Sequence, residues 1–298
     1  MSNKVGLSED PPLGFIGLGV MGEPMCRNLA RCSGRSVIAF DQDSAPLNRL
    51  AKIGVAPAKT VQEVGAAEIV FLSLPDGDAV SAVCFGKEGL LSQLDAGSTL
   101  VDLGTSPVAL TREIALLAME QSVAFADAPV ARTRAAAEAG TLSIMVGAAE
   151  SIYARLEPLL RHMGEDVTHC GDVGAGQIVK LMNNMVLFQT VPSLWLRRCT
   201  LRVAPVWMPR YCSRRWQKDQ PTALHYATRG MNALLPEIFP TSAFSARYAL
   251  KDNDYALALA AAAGVSADGA ELVARRLQES INAGYGDDYF PVLSRLLD

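Results

Sequence analysis

The sequence predicts an α/β fold, in which a doubly wound parallel sheet with helices on both faces is followed by an all-α C-terminal domain. Strand-like apolar runs alternate with helical patterns from residue 13 to about residue 147, and this alternation is typical of a parallel sheet. From Gly174 onward the patterns are helical only. We therefore place one domain at 1–173 and an all-helical domain at 174–298.

The composition excludes several classes of protein. A net charge of -4 argues against a nucleic-acid partner, which would need a basic face. No apolar run reaches the ~18 residues that span a bilayer, and residues 1–12 lack the apolar core of a signal peptide. The six cysteines form no CxxC pair, and the three histidines have no metal-ligand spacing. We expect a cytoplasmic protein with no metal and no membrane or nucleic-acid partner.

A glycine-rich turn follows the first predicted strand. The run Leu13–Leu18 leads into Gly17-Leu18-Gly19-Val20-Met21-Gly22, and a helical pattern comes next. In such a unit the first glycine permits the turn, the second lets the backbone approach a pyrophosphate, and the third lets helix and strand pack closely. Glycine turns are common, but this context indicates a Rossmann-type sheet that binds a dinucleotide.

An acidic residue ends the second predicted strand. Ser36–Phe40 is followed by Asp41, and an acid about 20 residues beyond the glycines accepts hydrogen bonds from the adenosine ribose. No basic residue stands beside Asp41 to hold a 2′-phosphate, so the sequence favours NAD over NADP. The alternative is that Asp41 caps the helix predicted at 44–53.

Two later loops are candidates for ligand binding. The alternation continues through helices at 60–65, 79–85 and 107–121 and strands at 68–74, 98–103, 123–126 and 140–147. Ligands of such sheets bind beyond the carboxyl ends of the strands, which points to Leu74-Pro75 and to Gly104-Thr105-Ser106. Either segment is also consistent with ordinary turn chemistry.

The helix predicted from Gly174 to Leu194 carries the catalytic candidate. Lys180, Asn183 and Asn184 have the spacing i, i+3 and i+4, which places them on one helical face among apolar neighbours. A lysine that is desolvated and steered by amides has its pKa lowered towards neutrality, where it exchanges protons usefully. The alternative is an amphipathic helix with one solvated lysine.

Four segments carry a resemblance to a known family. They are GFIGLGVMGEPMCRNLA at 14–30, DAPV at 127–130, GAGQIVKLMNN at 174–184 and ALKDNDYALALA at 249–260. Together they resemble the β-hydroxyacid dehydrogenase family, which includes 3-hydroxyisobutyrate dehydrogenase and tartronate semialdehyde reductase. The resemblance implies a homo-oligomeric, NAD-dependent oxidoreductase. In it Lys180 is the general acid/base, Asn184 orients the substrate, Thr105 lies beside cofactor and substrate, and Lys251 closes over the cofactor.

The sequence departs from the family after the DAPV segment. The family commonly has Ser-Gly-Gly there, whereas this chain has Ala131, Arg132 and Thr133. An Arg-Thr pair is similar to the branch that reduces sulfolactaldehyde and succinic semialdehyde, where the arginine binds the terminal anion. We therefore expect a short 3-hydroxy acid or semialdehyde with a terminal carboxylate or sulfonate, bound by Arg132 and Thr133. Arginines solvated at the surface are the alternative.

Two other functions stay open. Imine reductases belong to the same superfamily, but they usually replace the lysine, so Lys180 counts against them. The rival from another class is an NAD-binding protein without catalysis.

The segment 195–228 differs in composition from its surroundings. It contains all three tryptophans, six arginines and three prolines, with no acid before Asp219. Prolines are poor residues for the interior of the helix expected there. A shift of reading frame allows AEALHAARRAGVDAAV from Trp195 and VLLETLAKGSAD from Arg210, both rich in helix formers. We hypothesise two compensating frameshifts; genuine divergence is the alternative. Beyond this segment we expect helices at 233–239, 246–263, 268–283 and 289–297.

Overall fold

The computed structural model describes residues 10–86, 88–202, 233–234, 236–241 and 243–296. The part of the unusual segment from 203 to 228 therefore lies outside the described residues. The chain divides into two compact units, Met1–Lys180 and Leu181–Asp298. The boundary predicted after residue 173 stays a prediction; this division falls a few residues later, within one helix.

The first unit is built on a nine-stranded sheet among the residues described. The strands are β1 (Leu13–Ile16), β2 (Val37–Phe40), β3 (Ala56–Pro57), β4 (Ile69–Leu72), β5 (Thr99–Asp102), β6 (Ala124–Asp127), β7 (Val130–Ala131), β8 (Leu142–Gly147) and β9 (Gly164–Gly171). Their order is β3-β2-β1-β4-β5-β6-β8-β7, with β9 paired to β8. The pairs from β3 to β6 are parallel, which confirms the predicted fold class, but β8 runs antiparallel to β6.

Helices connect these strands. They are α1 (Gly22–Cys32), α2 (Ser44–Ala51), α3 (Val61–Gly65), α4 (Gly77–Cys84), α5 (Val108–Glu120), α6 (Arg134–Ala139) and α7 (Glu150–Leu160). Four begin at a residue whose side-chain oxygen accepts a backbone N–H, which satisfies one of the free donors of the first turn. These N-caps are Asp43, Thr60, Asp76 and Thr133.

The core of the first unit lies on both faces of the sheet. Alternate residues of a strand point to opposite faces. Accordingly Phe71 of β4 is buried in one apolar cluster with Phe15, whereas Val70 and Leu72 are buried in the other. All four residues of β1 and of β4 are buried, as expected for central strands covered by helices on both sides.

The described part of the second unit is helical. Helix α8 (Ala175–Arg202) begins in the first unit and continues into the second, followed in the described chain by α9 (Ala246–Ala262) and α10 (Asp268–Ser280). A π-helical turn at Ile281–Tyr285 and a 3₁₀ helix at Phe290–Leu296 complete it. Phe188 and Phe290 pack edge to face in its core, with ring centroids 5.2 Å apart. The helix predicted at 233–239 is wrong at its end, because residues 236–237 form a turn and 238–240 have no regular structure.

Candidate active site

The glycine turn after β1 is sterically closed to side chains at two positions. Gly17 has φ +91°, and a Cβ there would lie 2.3 Å from the Ser73 carbonyl oxygen. A Cβ on Gly22 would lie 2.0 Å from the carbonyl oxygen of Gly17. At Gly19, by contrast, a Cβ would meet no atom within 4 Å beyond its chain neighbours. The backbone at Gly19 is therefore open to a ligand, as a pyrophosphate-binding turn requires.

Asp41 reaches this turn from the end of β2. Its Oδ2 accepts a hydrogen bond from the Leu18 N–H, and its Oδ1 accepts one from the Asp43 N–H at 2.7 Å. The cap of α2 is Asp43, whose carboxylate accepts the Ala45 N–H at 2.9 Å. The capping role considered for Asp41 thus belongs to its neighbour, and Asp41 lies beside the glycine turn, where a ribose acceptor is needed. These residues fit a dinucleotide.

The loops after β4 and β5 lie against each other. Leu74 is half-buried and Pro75 is exposed. A Cβ on Gly104 would come within 3.1 Å of the Leu74 carbonyl oxygen, so the two loops approach closely at this glycine. Thr105 is half-buried between Gly104 and Ser106. The two loops predicted as cofactor-binding are therefore neighbours at the carboxyl edge of the sheet.

A buried polar network that sequence reasoning missed connects the second loop to α8. The Asp102 carboxylate accepts the Gly104 N–H at 2.8 Å and the Ser106 hydroxyl at 2.7 Å. The side chain of Gln177 donates to the Gly104 carbonyl at 2.9 Å and accepts the Ser106 N–H at 3.1 Å. Asp102, Ser106 and Gln177 are all buried. An acidic residue close to the end of an apolar strand, as Asp102 is, is the sequence signal from which this network could have been found.

Asp127, the last residue of β6, holds the first turn of α8. Its two carboxylate oxygens accept the N–H groups of Gly174 at 2.6 Å and of Gln177 at 2.7 Å. Burial raises the pKa of Asp127 to about 6, while these backbone N–H groups act in the opposite direction. The carboxylate satisfies donors that the start of a helix otherwise leaves unpaired.

Lys180 and Asn184 are buried one helical turn apart on α8, with 8% and 4% of their surface exposed, whereas Asn183 is exposed. Asn184 Nδ2 donates to Asp252 Oδ2 at 2.8 Å, and Asp252 is itself buried. This bond fixes the orientation of the Asn184 amide. The burial of Lys180 agrees with a desolvated amine rather than with a solvated surface lysine.

Lys251 lies beside Asp252 on α9. Its Nζ is 3.2 Å from Asp252 Oδ1 and lies 5.4 and 5.5 Å from the ring centroids of Tyr248 and Tyr255. These contacts belong to the second unit. The closure of Lys251 over a cofactor therefore stays a prediction.

Arg132 has an acidic partner that the sequence did not reveal. Its guanidinium forms an ion pair with Glu165 of β9 and donates to the Thr141 carbonyl at 2.6 Å. Thr133 caps α6 by accepting the Ala136 N–H at 3.4 Å. The structure thus gives Thr133 a structural role at the place where we predicted substrate binding, and it places a carboxylate against the guanidinium of Arg132.

In the described part of the chain, no group of three His, Cys, Asp or Glu side chains could hold a metal ion. No helix among the residues described is long and apolar enough to cross a membrane.

The fold and the glycine turn define a dinucleotide-binding domain of the Rossmann type. A family model described as the NAD binding domain of 6-phosphogluconate dehydrogenase matches residues 12–171. Together with the relatives described below, this match shows that the chain belongs to the β-hydroxyacid dehydrogenase family.

Two relatives and a more distant fold neighbour illustrate this membership. The 2-(hydroxymethyl)glutarate dehydrogenase of Eubacterium barkeri is 41% identical over 183 residues, which cover 61% of this chain and 60% of that protein. The Mycobacterium tuberculosis 3-hydroxyisobutyrate dehydrogenase structure with L-serine is 28% identical, with a TM-score of 0.81, and the match covers 96% of this chain and 99% of that one. An imine reductase from Myxococcus stipitatus, 21% identical over 97% of this chain and 100% of that one, has a TM-score of 0.61 and shares the fold. The chain thus matches about 60% of the length of the first of these relatives.

Proposed function

We propose that this protein transfers a hydride between NAD(H) and a short 3-hydroxy acid or semialdehyde that carries a terminal anionic group. The observation that carries the proposal is the burial of Lys180 one helical turn from a buried, oriented Asn184. An amine that is withdrawn from water and steered by neighbouring polar groups is suited to proton transfer at a reacting oxygen. Family membership supports the same class of reaction.

The residues 17–22 and Asp41 would hold the cofactor, with Leu74, Pro75 and Thr105 in the adjoining loops. Bound NAD(H) supplies or accepts the hydride. We propose NAD rather than NADP, because a 2′-phosphate would meet the Asp41 carboxylate and the sequence offers no adjacent basic residue to balance it.

The proposed work of Lys180 is to move one proton. In the direction of reduction its ammonium donates a proton to the oxygen of the aldehyde as negative charge develops there. In the direction of oxidation the neutral amine takes the proton of the substrate hydroxyl. Asn184 orients the substrate, and its own orientation comes from the hydrogen bond to Asp252.

Arg132 is the proposed ligand of the terminal anion. Its guanidinium already pairs with a carboxylate, that of Glu165, and both side chains are partly exposed. Exposed ion pairs contribute only about 0–1 kcal/mol, so a substrate anion can replace Glu165 at small cost. Carboxylate and sulfonate groups both suit the forked donors of a guanidinium.

The test is the Lys180→Ala variant beside the matched control Lys52→Ala, whose lysine is exposed on the surface. We expect turnover to fall about 10²-fold or more in Lys180→Ala with binding of NADH preserved, because the acid/base is lost while the glycine turn is intact. The measurement is the loss of NADH absorbance with succinic semialdehyde, sulfolactaldehyde, methylmalonate semialdehyde and tartronate semialdehyde. Unchanged turnover in Lys180→Ala would contradict the assignment. Binding of NADH to the wild type without oxidation of NADH by any of these aldehydes would indicate a protein without this activity.

We also propose that the protein acts as a homo-oligomer in the cytoplasm, as the resemblance to the family implies. The exposed apolar side chains of Val179, Met182 and Val186 on α8 are compatible with an association surface. Analytical ultracentrifugation of the full chain measures the oligomeric state.

A further inference from the structure

Two aspartates end neighbouring strands side by side. Asp102 and Asp127 are partners in the pairing of β5 with β6, and their exposed fractions are 1% and 0%. Buried carboxylates persist in proteins where hydrogen bonds satisfy them. The hydrogen-bond donors to Asp102 and Asp127 therefore show which segment each carboxylate holds in place. Asp102 holds the loop on both sides of Thr105, and Asp127 holds the first turn of α8.

Gln177 is the side chain that connects these two structures. Its backbone N–H is bound by Asp127, and its side-chain amide donates to the Gly104 carbonyl and accepts the Ser106 N–H. The amide thus uses one donor and one acceptor on the two residues that flank Thr105. Gln177 is completely buried and lies three residues before Lys180 on the same helix.

We propose that Gln177 is a positioning residue, which fixes Lys180 of α8 relative to the loop of Thr105, with Asp102 and Asp127 as its anchors. The proposal rests on the proposed function, in which Lys180 exchanges the proton. Gln177 itself exchanges no proton. Its side chain acts on the reacting groups indirectly, because it holds the backbone of Gly104 and Ser106 in place. Its pairing is specific to an amide, because glutamate lacks the donor for Gly104 and methionine lacks both groups.

Loss of the Gln177 amide should affect mainly the chemical step of the reaction. Without the amide, the Gly104 carbonyl and the Ser106 N–H lose a buried partner, and the loop must move to satisfy them. Small misplacements of reacting groups cost large factors in rate. Of the residues proposed to hold the cofactor, only Thr105 lies in the loop that moves, whereas the glycine turn and Asp41 are not part of the network. We therefore expect turnover to fall much more than the affinity for NADH.

The experiment compares Gln177→Met with Gln121→Met, which makes the same chemical change at an exposed position. In the full chain we expect Gln177→Met to lower kcat by about 10- to 100-fold, to change the Kd for NADH by less than about threefold, and to displace the pH profile of kcat. Gln177→Glu keeps the acceptor but turns a buried carboxylate oxygen towards the Gly104 carbonyl, so it should lower kcat at least as far as Gln177→Met. Gln121→Met should match the wild type.

Two outcomes would overturn the proposal. One is a kcat and pH profile of Gln177→Met within about twofold of the wild type. The other is a fall of NADH affinity as large as the fall of kcat with no displacement of the pH profile, which a purely structural role would produce.

A second measurement tests the positioning role even if the protein lacks the proposed activity. If the wild type oxidises NADH with none of the aldehydes, the rate of reductive methylation of Lys180 by formaldehyde, with cyanoborohydride as the reductant, is measured against pH by peptide mass spectrometry. A displaced pH midpoint in Gln177→Met supports the positioning role. The same midpoint in both proteins overturns it.

Discussion

Arg132 has a backbone conformation that residues other than glycine rarely adopt. Its φ is +87°, in the left-handed region, at a position where the resembling family commonly has glycine. Such conformations cost of the order of 1–3 kcal/mol and persist where the surroundings enforce them, often at ligand sites. Arg132 thus places a cation on a turn whose conformation favours glycine, which supports a ligand-binding role for the guanidinium.

Glu165 competes with a substrate anion for that guanidinium. Glu165→Gln removes the competing charge, and since exposed ion pairs are worth about 0.2–1 kcal/mol, we expect KM for an anionic aldehyde to fall by about 1.4- to 5-fold at unchanged kcat. Steady-state kinetics at low salt measure the effect, which salt should diminish.

A matched control for this prediction exists on α6. Arg134 and Glu138 form an ion pair of similar exposure at 2.9 Å, so Glu138→Gln makes the same change beside a different arginine. KM should be unaffected in Glu138→Gln, and an uncharged aldehyde should show no change in either variant. An equal fall of KM in both variants would point to the net charge of the protein rather than to Arg132.

At the scale of the element, the start of α8 depends on a carboxylate with a raised pKa. The pKa of Asp127 is about 6 in the folded chain, against 3.8 for an ordinary aspartate. The folded state therefore binds the proton more tightly than the unfolded state, and stability falls as the carboxyl ionises with rising pH. The loss takes place mainly between the two pKa values and is complete above about pH 7.

Asp127→Asn, which cannot titrate, isolates this contribution. From about pH 5 to about pH 7.5 we expect the free energy of unfolding of the wild type to fall by about 1.4 kcal/mol relative to Asp127→Asn. Urea unfolding at both pH values measures the difference. A difference that is constant, or that grows with pH, would show that the folded chain does not hold this proton more tightly.

The local elements of the sheet could be predicted from sequence, and their partners could not. The strand, glycine turn and helix at 13–32 can be predicted from a few residues each, because the apolar pattern and the glycine spacing are local. The hydrogen bonds of Gln177 to Gly104 and of Asp127 to Gln177 join residues 73 and 50 positions apart. They depend on the order of strands in the sheet, which no short pattern encodes.

The direction of β8 was not predicted from the sequence, and helix α7 and strand β9 were missed. The alternation of strands and helices does not specify the direction of β8, which is antiparallel to β6. Helix α7 contains Pro158, and β9 exposes polar residues along most of its length, so neither gives a clear apolar period. Glu165 lies on β9, which is why the partner of Arg132 was not found from the sequence.

At the scale of the whole molecule, the origin of residues 195–228 decides what can follow α8. The helix is described to Arg202, within the segment that lacks acids, and residues 203–228 lie outside the described chain. The shifted frame replaces prolines and tryptophans with alanine, leucine and glutamate, which are stronger helix formers. A gene with two compensating frameshifts would change this segment and leave the residues on both sides intact.

We therefore expect resequencing of the locus to give one frame that encodes AEALHAARRAGVDAAV from position 195 and VLLETLAKGSAD near position 210. If the frameshifts are in the gene itself, a chain carrying the shifted residues should melt at a higher temperature than the present chain, because Pro205, Pro209 and Pro221 are then replaced by better helix formers. Circular dichroism measures the melting of both chains under the same conditions. An uninterrupted frame that encodes Trp195–Thr228 as given, together with equal melting temperatures, would establish the segment as genuine divergence, since tertiary contacts can override helix propensity.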